Sequence, residues 1–134
     1  MGLSVLPEGR SMFQDSTPVR VAIEFVNAWA RRDICTVAAM LSDDVTFESP
    51  CARVSGITAT LRLLGDFARV VTDIEVIAAF GDDHQAMILY DMATEAYGTV
   101  RVADRLVVRR GQIIADSVVF DTATMRPVPA DIVA

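Results

Sequence analysis

Three carboxylates stand where water should be scarce. In VRVADRLVVR, residues 100–109, apolar and basic side chains alternate. Read with a period of two, Val100, Val102, Asp104, Leu106 and Val108 share one side, and Arg101, Ala103, Arg105, Val107 and Arg109 share the other. The arginines mark the wet side, so Asp104 faces the dry one. QAMILYDMATEA, residues 85–96, places Gln85, Met87, Leu89, Asp91, Ala93 and Glu95 on one side. Ala86, Ile88, Tyr90, Met92 and Thr94 take the other. Both sides are apolar near the centre, which predicts an inner strand covered on each face, with Asp91 near its middle. In the last apolar run Asp116 shares a side with Ile114, Val118 and Phe120.

An ionised carboxylate in dry protein costs several kcal/mol unless it is paired or hydrogen-bonded. Otherwise its pKa rises until the group holds its proton near neutrality. A raised pKa approaches the working pH, which suits general acid–base chemistry. The plain alternative is that Asp104 pairs with Arg62 or a buried hydroxyl and fixes strand register. The residues alone leave both open.

Other chemistries find less support. His84, the single histidine, sits in GDDH and reads as a solvated turn residue. Cys35 and Cys51 are too few and too irregularly placed for a disulfide framework, and read as small buried side chains in a reducing compartment. With no second histidine and no cysteine pair at ligand spacing, no metal site is expected. No glycine-rich phosphate loop or nucleophile elbow is present. Tyr90, opposite in parity to Asp91, is expected at a dimer or helix contact. Glu48 alternates away from Phe47 and Ser49 and falls outside the site. Arg101, Arg105 and Arg109 form a solvated or dimer-facing stripe.

The elements that must position these groups follow from patterning. The chain has 134 residues, enough for one domain with a sizeable core. It is 52% hydrophobic, with a mean hydropathy of +0.38, so the apolar excess must fill a core, a pocket or a subunit interface. No apolar run approaches the roughly 18 residues a membrane span needs. A net charge of −6 argues against nucleic acid and anionic membranes as partners. The N-terminus shows no secretory signal, and the cytoplasm is the default. Residues 1–16 and 124–134 read as flexible tails around one domain, residues 17–123.

Thr17-Pro18 predicts a helix start. In PVRVAIEFVNAWARRD, Arg20, Glu24, Asn27 and Arg31 form one narrow polar stripe, so the rest, with Phe25 and Trp29, is covered on most sides. Asp33 caps ICTVAAML, which ends at Ser42-Asp43-Asp44; VTFES is a brief strand closed by Pro50. Ser55-Gly56 opens a third helix with Ile57, Leu61, Leu64, Ala68 and Val71 on one stripe. From Asp73 four strands with short links predict an antiparallel meander. Helices followed by strands imply an α+β domain, with the helices on one face of a curled sheet.

The succession WARRD, LSDDVTFESP, VRVADRLVVRRGQI and VVFD, over residues 18–122, resembles the nuclear transport factor 2-like superfamily. More narrowly it resembles the SnoaL-like branch, which includes polyketide cyclases, ketosteroid isomerase and limonene epoxide hydrolase. The resemblance implies a cone-shaped, curved antiparallel sheet wrapped around the long N-terminal helix, a cystatin-like α+β barrel. It also implies an apolar pocket and a homodimer formed through the sheet. Against ketosteroid isomerase, Asp104 falls on the protonated aspartic acid of the oxyanion hole. The tyrosine donor of that enzyme falls at Phe25 and its base at Ser49. Against limonene epoxide hydrolase, Asp91 matches one catalytic aspartate, the arginine becomes Leu89 and the second aspartate becomes Val118. SnoaL-type cyclases need a single acid–base aspartate, a requirement this sequence meets.

The resulting expectation is a cofactor-independent enzyme for cyclisation, isomerisation or hydration of an apolar small molecule. Asp104 serves as neutral donor and Asp91 as proton acceptor, while Phe25, Trp29, Phe47, Leu89, Asp116, Val118 and Phe120 shape the pocket. The alternative is a non-catalytic binding or dimerisation domain of the same fold.

Overall fold

A computed structural model describes residues 16–123. The two expected tails lie outside the described residues, except for Ser16. Helix α1 spans Thr17–Ala30 and is capped by Ser16, one residue before the expected start; the Ser16 hydroxyl accepts from the Val19 N–H at 3.2 Å. Its wide apolar surface is buried through Val19, Ala22, Phe25, Val26 and Trp29. Helix α2, Ile34–Met40, is capped by Asp33, which accepts from the N–H and hydroxyl of Thr36. Helix α3, Ile57–Ala68, begins at Gly56, whose φ of 90° favours glycine.

Six strands follow the order β2-β1-β6-β5-β4-β3 in one curved sheet. They are β1 Leu41–Glu48, β2 Arg53–Ser55, β3 Val71–Gly81, β4 Gln85–Thr94, β5 Gly98–Arg109 and β6 Gln112–Phe120. The meander from β3 to β6 is antiparallel, but β1 lies parallel to β6, so the sheet is mixed rather than wholly antiparallel. The connection between β1 and β6 is long, running through β2, α3 and the strands β3 to β5, as a parallel pair requires. Ser42-Asp43-Asp44 belongs to β1 instead of closing α2, because Leu41 and Val45 are buried on its inner side while the polar residues stay outside. Cys35 and Cys51 are exposed, contrary to their expected burial: Cys35 is on the solvent side of α2, and Cys51 is in the link between β1 and β2.

Turn chemistry sets the strand registers. Arg110 and Gly111 both have positive φ, 55° and 78°, the geometry of a tight two-residue hairpin joining Arg109 to Gln112. Thr94 faces Gly98 across a longer link, where the Thr94 hydroxyl accepts from Tyr97 N–H and donates to Gly98 C=O. α1 packs across β3, β4 and β5, burying Ile88, Met92 and Leu106 beneath it. No helix among the described residues is long and apolar enough to cross a membrane.

Candidate functional site

The registers decide which carboxyls meet. On β5, Asp104 lies opposite Ile88 of β4 and Val118 of β6; Leu106 lies opposite Asp116. Asp104 and Asp116 are therefore diagonal neighbours on the inner face. Phe47 of β1 pairs with Asp116 from the other side. Both carboxyls are 2% exposed. The Tyr90 hydroxyl donates to Asp104 Oδ2 at 3.3 Å, within the same buried cluster. Tyr90 thus borders the chamber on the face that α1 covers, where a dimer or helix contact outside the pocket was expected, because the β4 residues of even number point under α1.

These groups line a chamber walled by Phe25, Val26, Trp29, Phe47, Ser49, Leu63, Leu64, Phe67, Met92, Val102, Val118 and Phe120. The wall is apolar apart from Tyr90, Ser49 and the two aspartates. The chamber is narrow. It leaves about 30 Å³ of room for water, within some 480 Å³ of empty space that includes its open mouth. Ser49, Leu63, Phe67, Val118 and Phe120 are the partly exposed lining residues, so the mouth lies among them. Phe67 and Phe120 meet edge to face with ring centres 6.0 Å apart. On the far wall the Trp29 indole N–H donates to Leu64 C=O at 2.8 Å, fixing α1 against α3.

Two expected site residues lie elsewhere. Asp91 is on the outer face of the sheet, where it pairs with Arg101 across β4 and β5 at 2.8 Å and 2.9 Å. The Arg101 hydrogen bonds hold its carboxyl below the usual value, so it is a surface ion pair and not a partner for Asp104. Leu89 has the same parity as Asp91 and likewise points outward, away from the chamber. The remaining expected pocket residues, Phe25, Trp29, Phe47, Asp116, Val118 and Phe120, all border the chamber. Arg62 is exposed, and the contact to Asp104 comes from a buried hydroxyl instead.

Burial is the main influence on Asp104 and lifts its pKa to about 6; hydrogen bonds from Asp116 and Tyr90 work in the other direction by favouring the charged form. Asp116 is pushed well above the carboxylate range by burial, then by the Asp104 charge and their mutual hydrogen bond. Burial and the two neighbouring carboxyls also raise Tyr90, which stays a neutral donor. With both aspartates ionised, the Oδ1 atoms of Asp104 and Asp116 would have no donor among the described residues. One shared proton removes that conflict: Asp116 keeps it and donates, while Asp104 accepts. The pair then offers a desolvated base beside an acid. Among the described residues no cluster of histidine, cysteine and carboxylate side chains could hold a metal ion.

No curated protein matches the chain. Among solved structures, a protein from Kribbella flavida superposes with a TM-score of 0.79 at 26% identity, covering 81% of this chain and 90% of that one. An epoxide hydrolase of the limonene epoxide hydrolase-like type from M. tuberculosis gives 0.69 at 23% identity, covering 81% and 86%. A steroid delta-isomerase from Pseudomonas aeruginosa gives 0.68 at 18% identity, covering 81% and 82%. These likenesses establish the fold, and the last two structures are of a hydrolase and an isomerase. The SnoaL-like domain model matches residues 22–115, most of the chain and all but the ends of the element order described above. The chain therefore belongs to the SnoaL-like family.

Proposed function

We propose that the protein is a small-molecule enzyme that works by general acid–base catalysis in the apolar chamber. The observation that carries this reading is the Asp104–Asp116 pair, buried on the chamber wall with the Tyr90 hydroxyl donating to Asp104. In this reading Asp104 takes a proton from an activated C–H or O–H of an apolar substrate. Asp116 returns a proton to the oxygen or carbon where charge develops. Cyclisation, isomerisation and hydration all need this exchange. The roles differ from those expected for Asp104 and Asp91, since Asp116 is the better proton holder and Asp91 is outside. Because the chamber leaves little free room, a substrate must displace Leu63, Phe67 or Phe120 at the mouth to enter.

A homodimer is part of the same proposal. Phe80 and Met87 face each other across β3 and β4 on the outer side, exposed by 45% and 47%, and Val119 is exposed by 65%. The Asp91–Arg101 pair flanks this apolar band with both signs of charge, which suits a self-complementary two-fold contact.

The test uses 5-nitrobenzisoxazole, a flat apolar probe whose ring opens when a carboxylate removes its C–H proton, releasing a coloured phenolate. The wild type is expected to turn it over with a rate that rises as Asp104 ionises near pH 6. Asp104→Asn should lower the rate by about a hundredfold or more. Folded Asp104→Asn protein with wild-type turnover would sink the catalytic reading and leave a binding domain.

A further inference from the structure

The chamber leaves only about 30 Å³ of room for water, so a ligand enters only if a wall residue gives way. Its mouth lies between α3, which brings Leu63 and Phe67, and the end of β6, which brings Val118 and Phe120, with Ser49 completing it. These two sides are held very differently. On α3 the Trp29 indole N–H donates to Leu64 C=O, three residues before Phe67. The Arg32 guanidinium donates to Ala68 C=O, one residue after it. Leu64 and Ala68 are themselves buried, so the backbone that carries Phe67 is fixed on both sides. Within a helix its χ1 is also confined, because one of the three rotamers runs into the preceding turn. β6 is bound along both edges only as far as Ser117, which pairs with Glu48, the last residue of β1. Beyond it Val118, Val119 and Phe120 pair with β5 alone among the described residues. Phe120 ends the strand, and Val119 beside it is 65% exposed. A strand end paired along one edge opens at lower cost than a helix turn tied by long-range hydrogen bonds.

Phe67 and Phe120 meet edge to face, with ring planes at 69°. A contact of this kind slows opening by only about two- to tenfold. When Phe120 swings out, the space it leaves is as wide and as flat as one six-membered ring, and Phe67 borders it. The lining residues include no cation and already hold two carboxyls, so an anionic ligand would be buried there without a partner. We propose that Phe120 is the gate and size filter of the chamber: its ring turns outward with the one-sided end of β6, and a neutral planar molecule about one ring wide takes its place against Phe67. A saturated ring of the same atom count is thicker and fits this slot less well, because a packed interior leaves no slack for its axial hydrogens. The inference concerns entry and ligand shape, and holds whether or not Asp104 and Asp116 catalyse a reaction.

Trp29 is the single tryptophan and lines the chamber, so its fluorescence lifetime reports entry without any reaction. Nitrobenzene and nitrocyclohexane are both quenchers, one flat and one thick, and each is scaled to its quenching of free N-acetyltryptophanamide. On that scale nitrobenzene should quench wild-type Trp29 the more efficiently of the two. Phe120→Ala should speed quenching by nitrobenzene about tenfold and narrow the gap between the quenchers. Phe120→Leu, which keeps apolar bulk on the strand, should give a smaller rise and carries the comparison if the alanine variant does not fold. Arg32→Ala loosens α3 instead and should leave quenching unchanged. Acceleration by Arg32→Ala equal to or greater than that by the Phe120 variants would show that α3 moves, and overturns the proposal. Equal quenching in the wild type and both Phe120 variants overturns it too, as does a Trp29 shielded from both quenchers in every variant. Wild-type quenching by nitrocyclohexane as efficient as by nitrobenzene overturns the filter for flat ligands.

Discussion

At the residue scale, the chemistry rests on how Asp104 is held. Burial raises its pKa, and the Tyr90 and Asp116 hydrogen bonds partly reverse that rise. Removing one donor should therefore move the ionisation upward. In Tyr90→Phe the ring still fills its place but the hydroxyl is gone, so the pH at which 5-nitrobenzisoxazole turnover reaches half its plateau should increase. An unmoved or lowered midpoint would show that the 3.3 Å contact does not act on Asp104. A buried acceptor losing a donor should also cost about 1–3 kcal/mol of stability, read by urea titration. The contrast with Asp91 shows how far alternation goes. Its own strand is apolar on both sides, so parity alone could not say which side is inward. The signal that decides it was present one strand away: a link through residues 95–97 sets Asp91 opposite Arg101, on the arginine stripe. The same register puts Tyr90 opposite Val102, on the dry side with Asp104.

At the scale of elements, helices and hairpins were legible because each carries a local signal: Asp33 as a cap, Gly56 before α3, Arg110-Gly111 between strands. Strand β2 and the β1–β6 pairing were not, since three residues carry no periodicity and a parallel partner is set by the distant crossover. Arg32 was equally hidden. It adopts φ 63° just after α1 and sends its guanidinium to the carbonyls of Ala68 and Arg69, at 3.1 Å each, and to Val71 at 3.4 Å. This cation caps the C-terminus of α3 from another element, satisfying carbonyls the helix leaves open and opposing the negative end of its dipole. No motif announces such a clamp, because its partners lie more than 30 residues away. Arg32→Ala should lower stability by about 1–2 kcal/mol. Arg32→Gly should recover part of that loss by relieving the positive φ. Chemical denaturation distinguishes the two; equal losses would mean the backbone strain is negligible, and no loss in either would dismiss the clamp.

At the scale of the whole molecule, association and pH response are both read from the sheet's two faces. The outer band of Phe80, Met87 and Val119 should hold the proposed dimer, so Met87→Glu is expected to give a monomer by light scattering at micromolar concentration. A dimer that survives it uses another surface. The inner face governs pH. In the unfolded chain Asp104 and Asp116 ionise near the usual aspartate value, whereas the folded chain holds protons on them to higher pH. Between about pH 4 and 6 the folded state thus binds more protons, and stability falls as pH rises. The contribution is complete below the unfolded pKa and is lost as pH passes about 6 for Asp104 and higher for Asp116. At about 1.4 kcal/mol per unit of pKa, Asp104 alone withdraws on the order of 3 kcal/mol. Asp33 and Asp82 act with the opposite sign, because backbone and hydroxyl donors lower their pKa values; their support fades only at more acid pH. The folded protein should therefore melt at a higher temperature near about pH 5 than near about pH 8. In the Asp104→Asn/Asp116→Asn double variant neither site can ionise, so that difference should largely vanish. The double variant should also match or exceed the wild type near pH 8, because it no longer buries a charge. A wild-type slope retained in the double variant would place the pH response outside the chamber and remove the thermodynamic basis for the shared proton.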